Sequence, residues 1–308
     1  MYEKFFGFSA NPFSVSPDPR FLCRTRHTDE ALASLAYGIV ARKGFILLTG
    51  EVGTGKTTLL NKFLDWLRIT SVSTAFIFNP RLEPLDFLAF TMSEFGIRPE
   101  GNTKGAMVLQ LYHWLLERYR NGQKAVLVVD EAQTLSSDLL EEIRLLTNLE
   151  TSTAKLLQVV LCGQPELEDK LKLPELRQLR QRVVLWCRTY PLSLEETTKY
   201  IDRRLRVVGA SSNPLGPESL RRIHVASGGI PRVINLVCEH ALIAAFADRK
   251  TIVTPDMVDR VVRELDLGDT YARPAGETAV NVQPIRQTPA IQREPDIVQP
   301  ATGGNQTI

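Results

Sequence analysis

At 308 residues the chain is long enough for about two domains of ordinary size. A composition of 44% hydrophobic and 23% charged residues is that of a globular protein and excludes disorder throughout. Lys plus Arg (37) nearly cancels Asp plus Glu (35), and a formal charge of +2 gives no global reason for a nucleic-acid coat or a polybasic membrane anchor, leaving only local patches.

The N-terminal stretch Met1-Tyr2-Glu3-Lys4-Phe5-Phe6 lacks the basic region and long apolar run of a signal peptide. From Phe45 to about Arg188, short apolar runs alternate with longer amphipathic stretches. The runs are 45–49, 73–78, 125–129, 156–162 and 183–187; the stretches are 57–68, 84–95, 104–119 and 137–149. Continuous apolarity predicts strands buried on both faces, and strand–helix alternation predicts a parallel sheet between two helix layers.

After Pro191 the strand pattern stops. Ser193-Leu194-Glu195-Glu196 fits a capping box opening a helix to about Val207. Further helices are expected after Gly216-Pro217, from near Pro231, and from Thr254-Pro255 to about Leu265. Val233 to Ala247 is the most apolar run, but Asn235, Glu239 and His240 interrupt it, so it reads as a buried helix rather than a membrane span. Beyond Gly268 the composition turns to Pro, Gln, Thr, Gly and Asn, which predicts a disordered tail. The expected organisation is a leader and first helix (1–44), an α/β core (45–191), a helical lid (192–266) and a disordered Pro/Gln-rich tail (267–308).

Gly50-Glu51-Val52-Gly53-Thr54-Gly55-Lys56-Thr57 matches the P-loop pattern G-x-x-x-x-G-K-[ST] between a buried strand and an amphipathic helix. Glycines let the backbone wrap a polyphosphate with its N–H groups inward, and the helix N-terminus favours the anion. Gly50 through Thr58 are therefore expected to bind ATP. Lys56 would reach the β- and γ-phosphates, and the Thr57 hydroxyl would ligate Mg²⁺. At the end of the third run stand Asp130 and Glu131. There Asp130 is expected to hold Mg²⁺ through its water shell, and Glu131 to polarise the attacking water.

Cys23, Cys162, Cys187 and Cys238 are not at metal-ligand spacing, which argues against zinc and disulfides and for a reduced, cytoplasmic setting. The four histidines, His27, His113, His224 and His240, are scattered and suggest neither a metal site nor a triad.

The P-loop, the Asp-Glu strand end, two further polar strand ends and the helical lid together resemble an AAA+ ATPase: a three-layer αβα parallel sheet followed by a small all-helical lid. More narrowly, the chain resembles the ExeA/GspA-type ATPases of bacterial secretion and pilus systems, with the transposition ATPase TnsC as a relative. The leader Tyr2 to Phe8, Asn11-Pro12-Phe13, Pro17-Asp18-Pro19 and Phe21-Leu22 carries that likeness. So do Gly44-Phe45, Gly50 to Thr58, Asp130 to Gln133, Gly163 to Leu167 and Leu179 to Arg182. It covers about residues 1 to 265; the transmembrane helix and peptidoglycan-binding domain found in secretion-type members have no counterpart in the sequence after it.

The resemblance implies further roles. Gln164 would fill the sensor 1 position, the competing reading being a plain strand cap. Asn79 would restrain Glu131 until a partner binds, or form a turn with Pro80. Arg180, then Arg182, then Arg177 would be the arginine finger offered to a neighbouring subunit, or a solvated helix face. Arg232, in Ser227-Gly228-Gly229-Ile230-Pro231-Arg232, would be the sensor 2 arginine. Phe13, Phe21 and Leu22 would contact the adenine, with the helix from His27 beside the base, unless they are plain core. The implied protein is a homo-oligomeric ring that hydrolyses Mg·ATP and remodels or regulates a protein partner, at the inner membrane, in secretion, pilus or polysaccharide export. The alternative is a DNA-associated transposition regulator using Arg203-Arg204 with Arg206 and Arg221-Arg222, which the near-zero net charge disfavours.

Overall fold

In a computed structural model, residues 1–16, 18–78 and 82–267 are described. The expected disordered tail and Asn79 lie outside them.

Among the described residues, five strands form a parallel sheet: β1 (Phe45–Thr49), β2 (Ser73–Ile77), β3 (Ala125–Val129), β4 (Leu157–Gly163) and β5 (Val183–Arg188). Their order is β2-β3-β4-β1-β5. Strands β1, β3 and β4 are buried along their whole length. Alternation along β1 feeds two cores: Phe45 and Leu47 join one face, Ile46 and Leu48 the other. The first face is covered by α4 (Pro84–Glu94), α5 (Lys104–Arg120), α6 (Ser137–Leu146), α7 (Pro165–Lys170) and α8 (Arg177–Arg182), following the short α1 (Tyr2–Phe6) in chain order. The second face is covered by α2 (Arg26–Val40) and α3 (Lys56–Ile69). Burial on both faces does not extend to the sheet edges. On β5, Val184 is 51% and Trp186 40% exposed while Val183 and Cys187 are buried, so one face of this edge strand is uncovered.

The lid consists of α9 (Leu194–Val207), α10 (Pro217–Ser227), α11 (Pro231–Ala247) and α12 (Pro255–Glu264). The capping box at its entrance forms: Ser193 Oγ accepts from Glu196 N at 3.2 Å, and Glu196 Oε2 accepts from Ser193 N at 2.9 Å. Thr254 occupies the N-cap position of α12, but its hydroxyl makes no capping bond, so Pro255 at the first turn and burial of Met257, Val258 and Val261 hold that helix start.

The leader packs with the lid. Tyr2, Phe8, Phe13 and Phe21 share one apolar core with Tyr200, Ile201, Val237 and Leu242. Polar bonds fasten it there: the Ser9 N–H and hydroxyl both donate to Val208 O (2.9 and 3.0 Å), and Asn11 Nδ2 donates to Glu239 Oε1 at 2.6 Å.

Candidate functional site

Sheet order determines which loops meet. The P-loop follows β1, Asp130-Glu131 follow β3 and Gln164 follows β4, which lies between the other two. Register aligns Thr49 with Gly163 and Val129 with Leu161, so the three ends finish at one level of the sheet's carboxyl edge.

The P-loop is bent by glycines at positive φ, Gly53 (80°) and Gly55 (95°). Lys56 folds back so that Nζ donates to Gly50 O at 2.7 Å and Glu51 O at 2.9 Å. Thr54 Oγ1 donates to Glu51 O at 2.7 Å and lies 2.7 Å from Thr189 Oγ1, tying the loop to the chain just after β5. A Cβ on Gly50 would fall 2.0 Å from Thr189 Oγ1 and 2.8 Å from Thr189 O, so only glycine fits there.

The Thr57 hydroxyl, on the first turn of α3, makes no hydrogen bond among the described residues, while Asp130 is buried at 7% exposure. Burial pushes the Asp130 carboxyl above its ordinary range, against hydrogen bonds from Glu131 N–H and the Cys162 thiol and the nearby Lys56 charge. A carboxylate and a hydroxyl that is not hydrogen-bonded are oxygen donors of the kind a hard cation takes.

Glu131 sits in the left-handed region (φ 54°) at an exposed strand end. Two amides converge on its Oε2: Gln133 Nε2 at 2.6 Å and Gln164 Nε2 at 3.4 Å. The other end of Gln133 accepts the Gln164 backbone N–H at 3.1 Å, so one glutamine links the ends of β3 and β4. Gln133 was visible as the last letter of Asp-Glu-Ala-Gln; its orientation was not, because it depends on the β4 neighbour.

The lid meets the loop through Arg232, whose backbone N donates to Gly53 O at 3.2 Å; its exposed guanidinium makes no hydrogen bond or ion pair among the described residues. A cavity of about 350 Å³ lies between the two, lined by Gly53, Gly55 to Thr58, Glu131, Gln164 and Arg232. Ser14, Val15 and Ser16 of the leader and Tyr200, Arg204 and Asn235 of the lid also line it. A smaller apolar recess adjoins it, with Phe21, Leu22 and Cys23 on one side and Leu192, Tyr200 and Pro231 on the other. Phe13 lines neither space; it is fully buried in the leader–lid core, in line with the plain-core alternative.

Of the expected finger residues, Arg180 and Arg177 are exposed and without hydrogen bond or ion pair among the described residues. Arg182 is committed within its own chain, Nη1 donating to Asn148 Oδ1 at 2.6 Å and Thr147 Oγ1 at 3.1 Å. Of the expected basic clusters, Arg204 is buried, Arg221 pairs with Glu218 and Arg222 with Asp259, while Arg203, which donates to Arg20 O, and Arg206 are exposed. Among the described residues no helix is long and apolar enough to cross a membrane.

Comparison with known proteins agrees with this geometry. The AAA domain family matches residues 40–171. The chain is similar in structure to Cdc6p from Pyrobaculum aerophilum, with a TM-score of 0.64, 18% identity, and coverage of 82% of this chain and 70% of that one. RuvB, the Holliday junction branch migration motor of Thermotoga maritima, aligns with a TM-score of 0.52 at 15% identity over 80% of this chain and 71% of its own. At such identities these likenesses establish the fold alone. The sheet order, the P-loop and the matched segment give the chain a P-loop fold of the AAA type. In sequence it is similar to general secretion pathway protein A of Aeromonas hydrophila, 47% identical over 248 residues, which is 80% of this chain. The match takes in 45% of that relative, so the chain spans under half of the relative's length.

Proposed function

We propose that the chain binds Mg·ATP in the cavity between P-loop and lid, hydrolyses it in an oligomer, and uses the cycle to remodel or regulate a protein partner of a secretion system at the inner membrane. One observation supports this reading best. A cation (Lys56), a free arginine (Arg232), an exposed carboxylate (Glu131) and a side-chain amide (Gln164) from four separate segments line a single cavity with the P-loop glycines. That set stabilises a transferring phosphoryl group and orients water beside it.

Each residue then has a task. The amides of Gly53 to Thr58 cradle the phosphates, and Lys56 exchanges its bonds to Gly50 O and Glu51 O for phosphate oxygens. Thr57 and Asp130 are the residues that would hold Mg²⁺, which supplies neutralising charge when bound. Glu131 takes the proton of the attacking water, with Gln164 and Gln133 holding its carboxylate. Arg232 carries the state of the nucleotide to the lid. Arg180, exposed on α8 with no tie in its own chain, is the residue offered to a neighbouring subunit; Arg182 is already spoken for.

The trans-acting role is tested by turnover. Arg180→Ala should keep Mg·ATP affinity within about twofold and lower turnover by roughly 10³-fold, the range of arginine fingers elsewhere. Mixing it with Glu131→Gln subunits should restore part of the activity; no recovery at any ratio would remove the finger from Arg180. Gln133→Ala should lower turnover about tenfold, the equivalent of one charge-assisted hydrogen bond, with ATP affinity unchanged. Steady-state kinetics alongside equilibrium binding separates the two quantities. Full affinity and full turnover in that variant would leave Gln133 without a part in catalysis.

A further inference from the structure

Arg204 on α9 is 5% exposed, yet no carboxylate forms an ion pair with it among the described residues. Its hydrogen bonds all go to neutral oxygens: Nε to Pro12 O at 2.6 Å, Nη1 to the Tyr200 hydroxyl at 2.5 Å and Nη2 to Ser14 O at 2.9 Å. The guanidinium carbon lies 4.4 Å from the centre of the Phe21 ring and 5.3 Å from that of Tyr200. Asp18, a carboxylate on the same leader, is bonded to Arg20 at 2.7 and 2.9 Å. Taking a cation out of water is costly unless a counter-charge is in contact, and neutral acceptors with two aromatic faces recover only part of that cost. Asp18 is close enough to act on Arg204 electrostatically, but its hydrogen bonds go to Arg20, so the guanidinium has a carboxylate nearby and none in contact.

Its surroundings indicate what would balance it. Arg204 lines both the main cavity and the apolar recess beside it. The main chain it grips at Pro12 and Ser14 leads into Ser14, Val15 and Ser16, which form part of the cavity wall. A ligand here touches a surface whose shape depends on Arg204 and whose positive charge Arg204 shares with Lys56 and Arg232.

We infer that Arg204 is a further binding residue for the nucleoside di- or triphosphate: the ligand's negative charge completes a buried cation, and the same guanidinium makes the leader respond to occupancy. This rests on the reading of the cavity as an ATP site. It assigns Arg204 to nucleotide affinity and leader order, and leaves the chemical step to the residues around Glu131.

The test compares wild type, Arg204→Met and Arg204→Lys by calorimetry with Mg·ATP and Mg·ADP, and by hydrogen exchange across residues 9–22. Arg204→Met keeps an apolar body over Phe21 and removes the charge; it should bind both nucleotides about tenfold more weakly. Arg204→Lys should stay within about threefold of wild type in affinity, because the charge is kept. In wild type, nucleotide should slow exchange in the leader, and in Arg204→Met it should not. Wild-type affinity in Arg204→Met, equal losses in both variants, or wild-type leader exchange indifferent to nucleotide would each overturn the inference. Should Arg204→Met fail to fold, Arg204→Lys and the wild-type exchange decide. Absence of nucleotide binding by the wild type would instead remove the underlying ATP reading.

Discussion

Glu131→Gln should bind Mg·ATP as tightly as wild type while turnover falls by at least 10²–10⁴-fold, the usual contribution of a positioned general base. The substitution keeps the side chain's length and its ability to accept from Gln133 and Gln164, whose amides meet the Glu131 carboxylate at 2.6 and 3.4 Å. What it removes is the negative charge that takes a proton from water. Asp130 is untouched, so the phosphate and cation positions remain. Single-turnover hydrolysis and nucleotide affinity, measured on the same preparation, check both halves. Turnover near wild type would move the base elsewhere; a parallel loss of affinity would mean that Glu131 shapes the pocket rather than the reaction.

The second large effect is on the fold. Gly229→Ala should destabilise the protein by about 3 kcal/mol or more and weaken nucleotide binding with it. Gly229 has φ 75°, and an added Cβ would lie 2.0 Å from Leu192 O and 3.0 Å from Leu192 N, both backbone atoms. Strain of about 1–3 kcal/mol for the left-handed conformation therefore adds to a clash that side-chain rotation cannot relieve. The peptide cannot simply move away, because Gly229 O accepts from Leu192 N at 2.8 Å. This turn also sets the start of α11 and thus Arg232, so its distortion reaches the cavity. Gly105→Ala is the control: it lies within α5 with nothing inside 4 Å of an added Cβ, and it should be neutral or stabilising by up to about 1 kcal/mol. Urea midpoints of the two variants and wild type decide the matter, and equal midpoints would contradict the steric account.

The parts of this site that could be read from the sequence are those made by local chemistry. A P-loop needs glycine where the backbone turns back and a lysine one residue on, and those requirements leave letters at fixed spacing. The Asp-Glu pair is legible for the same reason, being the end of an unbroken apolar strand. Lid helices announced themselves through Ser193 with Glu196 and through prolines at first turns. Legibility failed where distant segments meet. Phe13 reads as plain core or as a base contact, and only the lid residues packed against it separate the two. Arg203-Arg204 reads as a solvated pair, yet helical geometry turns the first outward and buries the second beneath the leader. Arg182 and Arg180 look equivalent in Leu-Arg-Gln-Arg, and only the proximity of Asn148 and Thr147 separates them. The edge strand β5 is apolar in sequence but half-covered in space, since position within a sheet is not written in a strand's own letters.

The most direct measurement is a calorimetric titration of Mg·ATP into the wild-type chain, repeated with Lys56→Ala. One saturable site per chain is expected in wild type, with loss of that site in the variant, whose Lys56 ammonium no longer meets the phosphates. A flat titration for wild type, or identical binding by both proteins, would contradict the account.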